Sequence, residues 1–399
     1  MSELAEFRAE TRAWLQENCP DGVKGPGETT AGGNKVPIQN PDLKLWLERC
    51  AEKGLSVPLW PTQYGGAGLS KDELLVWLEE LRAIGARPPL GGMGVGLIGP
   101  TLLDYGNEDQ KQRHLPKIAR GEIRWCQGYS EPGAGSDLAS LRTRAEDKGD
   151  HYLINGQKIW TSGAQYADWI FCLTRTDPDV PKHEGISFLL FTMDQPGITV
   201  KPIKLIAGSS PFCETFFDDA IAKKEDLVHE VNKGWTVAKR LLQHERSSIT
   251  RLANTEAFRG QDNLQREPEL HELAKEYLGE SDGRVNDTSL RNAIIKHSMD
   301  TRAYQLTQRR TVQETEGAQT PGPQTSIFKL YGANLAKERT ELQMSCMGTQ
   351  GLGWEGEGFG EREIERTRNW LSTKARSIAS GSNEVQMNII AKRVLGLPD

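Results

Sequence analysis

Hydrophobic positions along this chain change period twice. Over residues 1–121 the spacing is helical: Leu4, Phe7, Trp14 and Leu15 share one face, and Leu74, Leu75, Leu78 and Leu81 repeat the spacing further on. A third segment follows Gly106 and stops at Gly121, in the manner of a helix closed by a glycine. Residues 57–70, dense in Pro and Gly, form the loop between the first two segments. From Ile123 to about Lys223 strand signals take over. Residues 151–160 alternate apolar and polar around Asn155-Gly156, a hairpin signal, and 168–177, 185–194 and 197–206 are strand-length runs bounded by Gly, Pro or Asp. This block reads as a small antiparallel barrel or sandwich.

After Gly234 the helical period returns. Val237, Ala238, Leu241, Leu242, Ile249 and Leu252 predict one buried helix of roughly 25 residues. Residues 262–288 are polar and suit a short helix with a surface loop. Residues 290–314 and 327–346 read as helices joined by a loop over 316–326. A Gly-rich patch at 348–360 precedes a last helix carrying Val385, Ile389, Ile390 and Val394. No internal repeat is present. Helices, then strands, then helices predict an α+β chain, divided here as 1–121, 122–232 and 233–399, rather than a doubly wound α/β fold.

Composition narrows the functional classes. The 399 residues carry 49 Lys+Arg against 55 Asp+Glu, a net −6, so the basic surplus of a nucleic-acid binder is absent. With 37% hydrophobic and 26% charged residues the chain is ordinary globular protein. No run approaches the ~18 consecutive apolar residues of a membrane span. The first twenty residues are charged throughout and lack a signal peptide's apolar centre. Cys19, Cys50, Cys126, Cys172, Cys213 and Cys346 lie far apart with no C-x-x-C, which reads as reduced thiols in a cytoplasmic protein. The seven histidines make no H-x-x-x-H or H-E-x-x-H, so no metal site is expected.

One motif misleads. Gly94, Gly96 and Gly99 match G-x-G-x-x-G, but no strand precedes them, and small residues that let a helix pack closely explain them better than a dinucleotide site. The informative stretch is 125–171. Pro132-Gly133-Ala134-Gly135-Ser136 is a tight loop whose N–H groups can face an anion or a carbonyl-rich ring edge. Trp160-Thr161-Ser162 ends a strand with an aromatic plane and two hydroxyls, on which a planar cofactor can stack. On chemistry alone the same residues read equally as a Gly-rich turn and a core tryptophan.

This stretch closely resembles the acyl-CoA dehydrogenase family, whose members carry T/S-E-P-x-A-G-S-D and then I-N-G-x-K-x-W-I/T-T/S. Here these are Ser130 to Asp137 and Ile154 to Ser162. Further marks fall in order: Trp60-Pro61 with Tyr64-Gly65-Gly66, Phe216-Phe217-Asp218-Asp219, Asn232-Lys233-Gly234-Trp235, and Gly381-Ser382-Asn383-Glu384-Val385-Gln386. The resemblance implies an N-terminal helical domain, a central antiparallel β-barrel domain and a C-terminal four-helix bundle. It implies FAD, oxidation of acyl-CoA thioesters to trans-2-enoyl-CoA, electrons passed to electron-transfer flavoprotein, and a homodimer or homotetramer. By position, Gln127, Tyr129, Ser130, Ser136, Trp160, Thr161 and Ser162 resemble the family's flavin contacts, with Ser136 also on the CoA side, and Ser382 and Glu384 resemble the contacts from the C-terminal segment.

The reaction needs a carboxylate base for a weakly acidic α-proton and hydrogen bonds for the enolate that develops on the thioester oxygen. Burial beside an apolar acyl chain raises such a carboxylate's pKa. Most members place the Glu just before the Gly of the C-terminal motif; here that position is Ser380. Some branches carry the Glu on the first long helix of the C-terminal block, directly before an Arg, and this chain has His244-Glu245-Arg246 there. In the family the two positions face the same α-carbon. Without the resemblance, a Glu in a long helix reads as a solvated or ion-paired face residue. With it, Glu245 is the expected base, Arg246 its positioning neighbour, and the Ser380 N–H a donor to the thioester oxygen. The family's Arg-x-x-Phe-Gly segment, which reaches the FAD of a neighbouring subunit, is missing from 258–292, and a few extra residues precede Ser380. Two other functions stay open: a catalytically silent subunit of a hetero-oligomeric complex, and a flavin oxidase or monooxygenase on the same fold.

Overall fold

Side-chain caps set where the N-terminal helices begin. The computed structural model describes residues 3–25, 27, 29–246, 269–314 and 322–398. Helix α1 (Glu3–Asn18) buries Leu15 but leaves Leu4 exposed. Helix α2 (Pro41–Glu52) starts at Asn40, whose side chain accepts from the N–H groups of Asp42 and Leu43, with Pro41 at the first helical position. Helix α3 (Lys71–Ala83) starts with a reciprocal Ser70/Glu73 capping box. Its buried stripe is Leu74, Trp77 and Leu81, and Leu75, expected on that stripe, is exposed. Trp14, Trp46 and Trp77 pack together between the three helices. Short α4 (Gly99–Tyr105) and α5 (Glu108–Ala119) follow, and α5 opens on an Asn107/Gln110 box.

Seven strands form one curled sheet: β1 (Trp125–Gly128), β2 (Arg144–Asp147), β3 (His151–Ser162), β4 (Trp169–Arg175), β5 (Ile186–Thr192), β6 (Ile198–Ile203) and β7 (Phe212–Lys223). The order is β1-β4-β2-β3-β7-β6, with β5 on β4. Most pairs are antiparallel, but β1 runs parallel to β4, from Trp125 opposite Trp169 to Gly128 opposite Cys172. The chain detours through β2 and β3 between them, and such a crossover is what parallel neighbours require. The hairpin expected at Asn155-Gly156 does not form. Strand β3 runs straight through, with a break in register against β7 between Ile154 and Gly156. Asn155 instead exchanges hydrogen bonds with Asp219 across the break, at 2.8 and 2.9 Å.

Strands β4 and β5 are buried on both faces, which is why their sequences run apolar without alternating. Phe171, Leu173, Phe188 and Leu190 face one core with Trp60, Leu102, Leu115 and Ile118. Ile170, Cys172, Leu189 and Phe191 face the other, within the sheet. Helix α6 (Gly234–Arg246) joins the first core through Val237, Ala238 and Leu241. Burial of Val237 and Leu241 contributes about 1.5–3 kcal/mol each. The sequence continues this helix through Ile249 and Leu252, which lie outside the described residues.

By internal contacts the chain forms two compact units, residues 1–203 with 211–266 and residues 204–210 with 267–399. The second holds α7 (Leu270–Leu278), a two-strand ribbon of β8 (Glu280–Ser281) and β9 (Arg284–Val285), α8 (Thr288–Glu314), α9 (Thr325–Met347), α10 (Glu361–Thr373) and α11 (Asn383–Ile389). Helix α9 is central and packs against α7, α8, α10 and α11. It therefore buries residues around most of its circumference, Phe328, Lys329, Ala333, Leu335, Thr340, Leu342 and Cys346 among them. Helix α10 was not apparent from sequence; its apolar positions are few beside its charges, and it docks through Thr367 and the half-buried Ile364 and Leu371. All six cysteines are buried and unbridged. Burial pushes the thiols of Cys19 and Cys346 up to about 11 and that of Cys172 up to about 12. No helix among the described residues is long and apolar enough to cross a membrane.

Candidate active site

In the first unit the motif residues meet where β1 ends and β3 passes. The loop after β1 closes on itself through Glu131 and Ala134, whose N–H and C=O groups pair both ways at 3.0 Å. Two consecutive residues of β3 fasten it to the sheet. The Ile159 N–H donates to the Ser130 carbonyl at 2.8 Å. The Lys158 ammonium donates to the Tyr129 carbonyl at 3.1 Å and to Glu131 Oε1 at 2.8 Å. Lys158 is fully buried and Glu131 nearly so. Glu131 also accepts from the N–H groups of Arg142 at 2.6 Å and Thr143 at 2.8 Å. Burial pushes the Glu131 carboxyl up, but the Lys158 charge and these hydrogen bonds win and hold it below the ordinary value. The Glu and Lys of the two motifs are thus one buried splice. Both residues lie inside the two sequence motifs, and the sign of their pairing is a lysine among the apolar residues of a strand.

Directly after the splice β3 bulges. Register with β7 breaks between Lys158 and Thr161, and Trp160 adopts φ +60°. A left-handed tryptophan costs of order 1–3 kcal/mol and persists where its surroundings enforce it, which is common at functional sites. The bulge leaves the indole 51% exposed, with Phe212 edge-on at 6.0 Å. Ser162 is half-buried beside it, whereas Thr161 is fully buried and presents no surface. Ser130 and Gln127 are half-buried, and Ser136 is exposed. The Tyr129 ring stands in the core, edge-on to Phe171 and Phe188. Its position in the loop is therefore recorded by its carbonyl, not its ring. At Gly133 and Gly135 a Cβ would meet nothing among the described residues within 4 Å, and neither residue needs a positive φ. Small residues that the chain's own packing does not require leave clearance for a group that it does not itself supply. A flat, exposed indole, a neighbouring hydroxyl and this clearance suit a planar flavin.

Helix α6 is anchored at its start and again two turns on. At its start Asn232 accepts from Thr176 Oγ1 at 2.5 Å and donates its N–H to Ser187 Oγ at 2.8 Å. A Cβ at position 234 would stand 2.4 Å from the Ser187 carbonyl carbon, so only glycine lets the helix begin this close to β5. Further along it Asp104 Oδ2 accepts from Arg240 Nε at 2.6 Å and from His244 at 2.9 Å. Glu245 and Arg246 follow on the helix, and their side chains lie outside the described residues. The Gly94–Gly99 run is packing, as its context implied: it forms a π-turn (Gly94–Ile98) entering α4, and a Cβ at Gly99 would overlap the Trp60 ring at 2.2 Å.

In the second unit the C-terminal motif begins with two left-handed residues, Ser380 at φ +57° and Gly381 at φ +90°. Ser382 then caps α11 by accepting from the Val385 N–H at 3.3 Å. Asn383 donates to Asn334 and accepts from Lys329, both on α9. Glu384 and Ser380 are exposed, and Ser382 is half-buried.

Three family models match the chain in order: the acyl-CoA dehydrogenase N-terminal domain over residues 1–122, the middle domain over 126–220 and the C-terminal domain over 232–395. The chain belongs to the acyl-CoA dehydrogenase family. It is 37% identical over 404 residues to acyl-CoA dehydrogenase IpdE1 of Mycobacterium tuberculosis, an alignment covering 100% of this chain and 99% of that one. Among solved structures it is similar to the Tcur3481-Tcur3483 steroid ACAD, at 30% identity and TM-score 0.74, covering 100% of this chain and 98% of that chain. It is similar as well to the ChsE4-ChsE5 complex from Mycobacterium tuberculosis, at 27% identity and TM-score 0.71, with 100% and 98% covered. As an acyl-CoA dehydrogenase it is an oxidoreductase of a flavoprotein family, and the clearance over Gly133 and Gly135 and the exposed Trp160 indole accord with that chemistry.

Proposed function

We propose that this chain is a FAD-dependent acyl-CoA dehydrogenase in which Glu245 takes the α-proton of a ring-bearing acyl-CoA. FAD, when bound, supplies the acceptor for the hydride leaving Cβ, so that loss of proton and hydride yields the trans-2-enoyl-CoA. Trp160 and Ser162 would hold the flavin, with Gln127, Ser130 and the main chain of Tyr129 bordering it. Ser382 and Glu384 would add contacts from the C-terminal motif. Thr161, being buried, would act only by keeping the bulge in place. Ser136 would meet the CoA side, Arg246 would orient the base, and the Ser380 N–H would donate to the thioester oxygen, a contact that needs no particular side chain. Electron-transfer flavoprotein would reoxidise the cofactor.

The observation that carries the base assignment is the serine at position 380, where most family members have Glu, on a chain whose α6 carries His244-Glu245-Arg246. The substrate class is supported by a relative described as a steroid ACAD, 30% identical over nearly the full length. The test is anaerobic flavin bleaching with butyryl-, octanoyl-, isovaleryl- and cholanoyl-CoA. Cholanoyl-CoA is expected to bleach fastest; faster bleaching by a straight-chain thioester would overturn the substrate class. Glu245→Gln is expected to keep flavin and substrate but lose over ~10³-fold in reduction rate, while Ser380→Ala stays mild. Wild-type reduction by Glu245→Gln would sink the base assignment.

A second reading has one observation in its favour: a similar solved structure is a two-component complex. The chain would then be one subunit of a hetero-oligomer, not a homodimer or homotetramer. If it is the silent subunit, bound flavin will stay oxidised with all four thioesters until a second chain is added.

A further inference from the structure

Helix α6 carries Arg240 and His244 four residues apart, and both reach one carboxylate. Arg240 Nε and His244 Nε2 stand 2.6 and 2.9 Å from the same Oδ2 of Asp104. Residues at this spacing share a helix face, so a single acceptor grips a full turn. Burial pushes the Asp104 carboxyl up, but the hydrogen bonds from His244 and Arg240 outweigh it and hold the group below the ordinary carboxylate value. An ionised carboxylate only accepts, so the His244 Nε2–H donates. Asp104 itself sits on a fixed base: α4 starts against Trp60 at Gly99, and Leu102 is fully buried in the core that also takes Val237, Ala238 and Leu241 of α6. The tie joins two elements already packed on one core, at the turn preceding Glu245.

We propose that Asp104 is a positioning residue for the base. Through Arg240 and His244 it fixes the rotation of α6 at the turn before Glu245, and with it the backbone from which Glu245 projects. The inference rests on Glu245 being the base. A core alone allows a helix to turn by a few degrees, and a base displaced by about 1 Å loses on the order of 10²-fold in rate. Two charge-assisted hydrogen bonds to one rigid acceptor remove that freedom.

The test uses the flavin-loaded full chain and four variants: Asp104→Leu, Asp104→Asn, Glu245→Gln and the double variant Asp104→Leu/Glu245→Gln. Single-turnover flavin reduction is followed with the fastest-bleaching thioester of the panel. Asp104→Leu is expected to slow reduction about 10- to 100-fold, with the substrate dissociation constant within about twofold of wild type. In the double variant the Asp104 change should add nothing to the loss from Glu245→Gln, because its effect runs through that carboxylate. A wild-type rate in Asp104→Leu, a loss appearing in the dissociation constant, or multiplying losses in the double variant would each overturn the proposal. A wild-type rate in Glu245→Gln alone would instead remove its premise. Hydrogen exchange gives a readout independent of turnover: amides of residues 239–244 should exchange about tenfold faster in Asp104→Leu while those of α5 do not change. Unchanged protection there overturns the tie. If Asp104→Leu does not fold, Asp104→Asn decides on the same readouts, since its neutral amide weakens both hydrogen bonds without changing shape.

Discussion

Replacing Lys158 by Met removes the cation from the splice between β3 and the motif loop, and the cost follows from what remains. The side chain is fully buried and Met matches its length, so packing is nearly kept. Glu131 keeps the Arg142 and Thr143 N–H groups but loses the 2.8 Å ammonium, leaving a buried carboxylate without its ion-pair partner, with Arg175 the cation that still feels its charge. Breaking one partner of a buried pair costs about 3–5 kcal/mol, roughly a fifth or more of the ~5–15 kcal/mol that holds a typical domain together. The sign of the pH dependence is fixed too. In the wild type Glu131 has a lowered pKa, so its stabilisation is present above the ordinary carboxylate value and lost as pH falls through the folded one. In Lys158→Met that stabilisation is gone, and protonating the carboxyl relieves the penalty. The two proteins should therefore differ most at neutral pH and converge on acidification. Urea denaturation followed by tryptophan fluorescence, at pH 7 and pH 4.5, measures both. Adding Glu131→Gln should recover part of the loss, because no charge is then buried alone. A deficit under about 1 kcal/mol at neutral pH, or one that does not shrink in acid, would refute the reasoning.

Two further outcomes follow from other parts of the first unit. Gly135→Val adds a side chain in open space, so unfolding stability should stay within about 0.5 kcal/mol, while the flavin-to-protein absorbance ratio of the purified protein falls; an undiminished ratio would remove the loop from the cofactor site. His114 is buried edge-on to Trp125 and Trp169, and burial, with Arg113 and Lys117 nearby, lowers its pKa to about 3. Its neutral form is favoured by folding, so its stabilisation is full above about 6.5 and lost as pH falls, about 2 kcal/mol of it by pH 5. His114→Phe should flatten that part of the acid slope, and equal losses from pH 7 to pH 5 in both proteins would show that His114 is not its source.

Where the sequence was legible, one physical signal dominated. Strands β4 and β5 were readable because burial on both faces makes them continuously apolar, and α9 because its length and apolar content survive any register. The misreadings were contests between local and tertiary preferences. Asn155-Gly156 has the chemistry of a tight turn, yet pairing of β3 with β7 on both sides carries the strand through it as a bulge. Leu75 fits a helical stripe by count, but Trp77 takes the core position. Helix α10 hid because packing on one neighbour asks for few apolar residues. At the candidate site, an aromatic and a hydroxyl at a strand end single out Trp160 and Ser162 from sequence. The exposure itself was not legible, because it depends on a positive φ that no composition rule assigns to tryptophan. The Asp104 tie was invisible because its partners lie 136 and 140 positions away in the chain.

The six buried, unbridged thiols make the native molecule almost silent to alkylating reagents. Burial hides each sulfur, and the raised pKa values keep Cys19, Cys172 and Cys346 protonated at neutral pH. They are also distributed: Cys19 and Cys50 beneath the N-terminal helices, Cys126, Cys172 and Cys213 inside the sheet, Cys346 on α9. Labelling therefore occurs only when a region opens, and the order in which the sulfurs react ranks the stabilities of three parts of one chain. The wild type is its own set of internal clocks for local unfolding, and a single cysteine introduced on its surface would be read against a dark background.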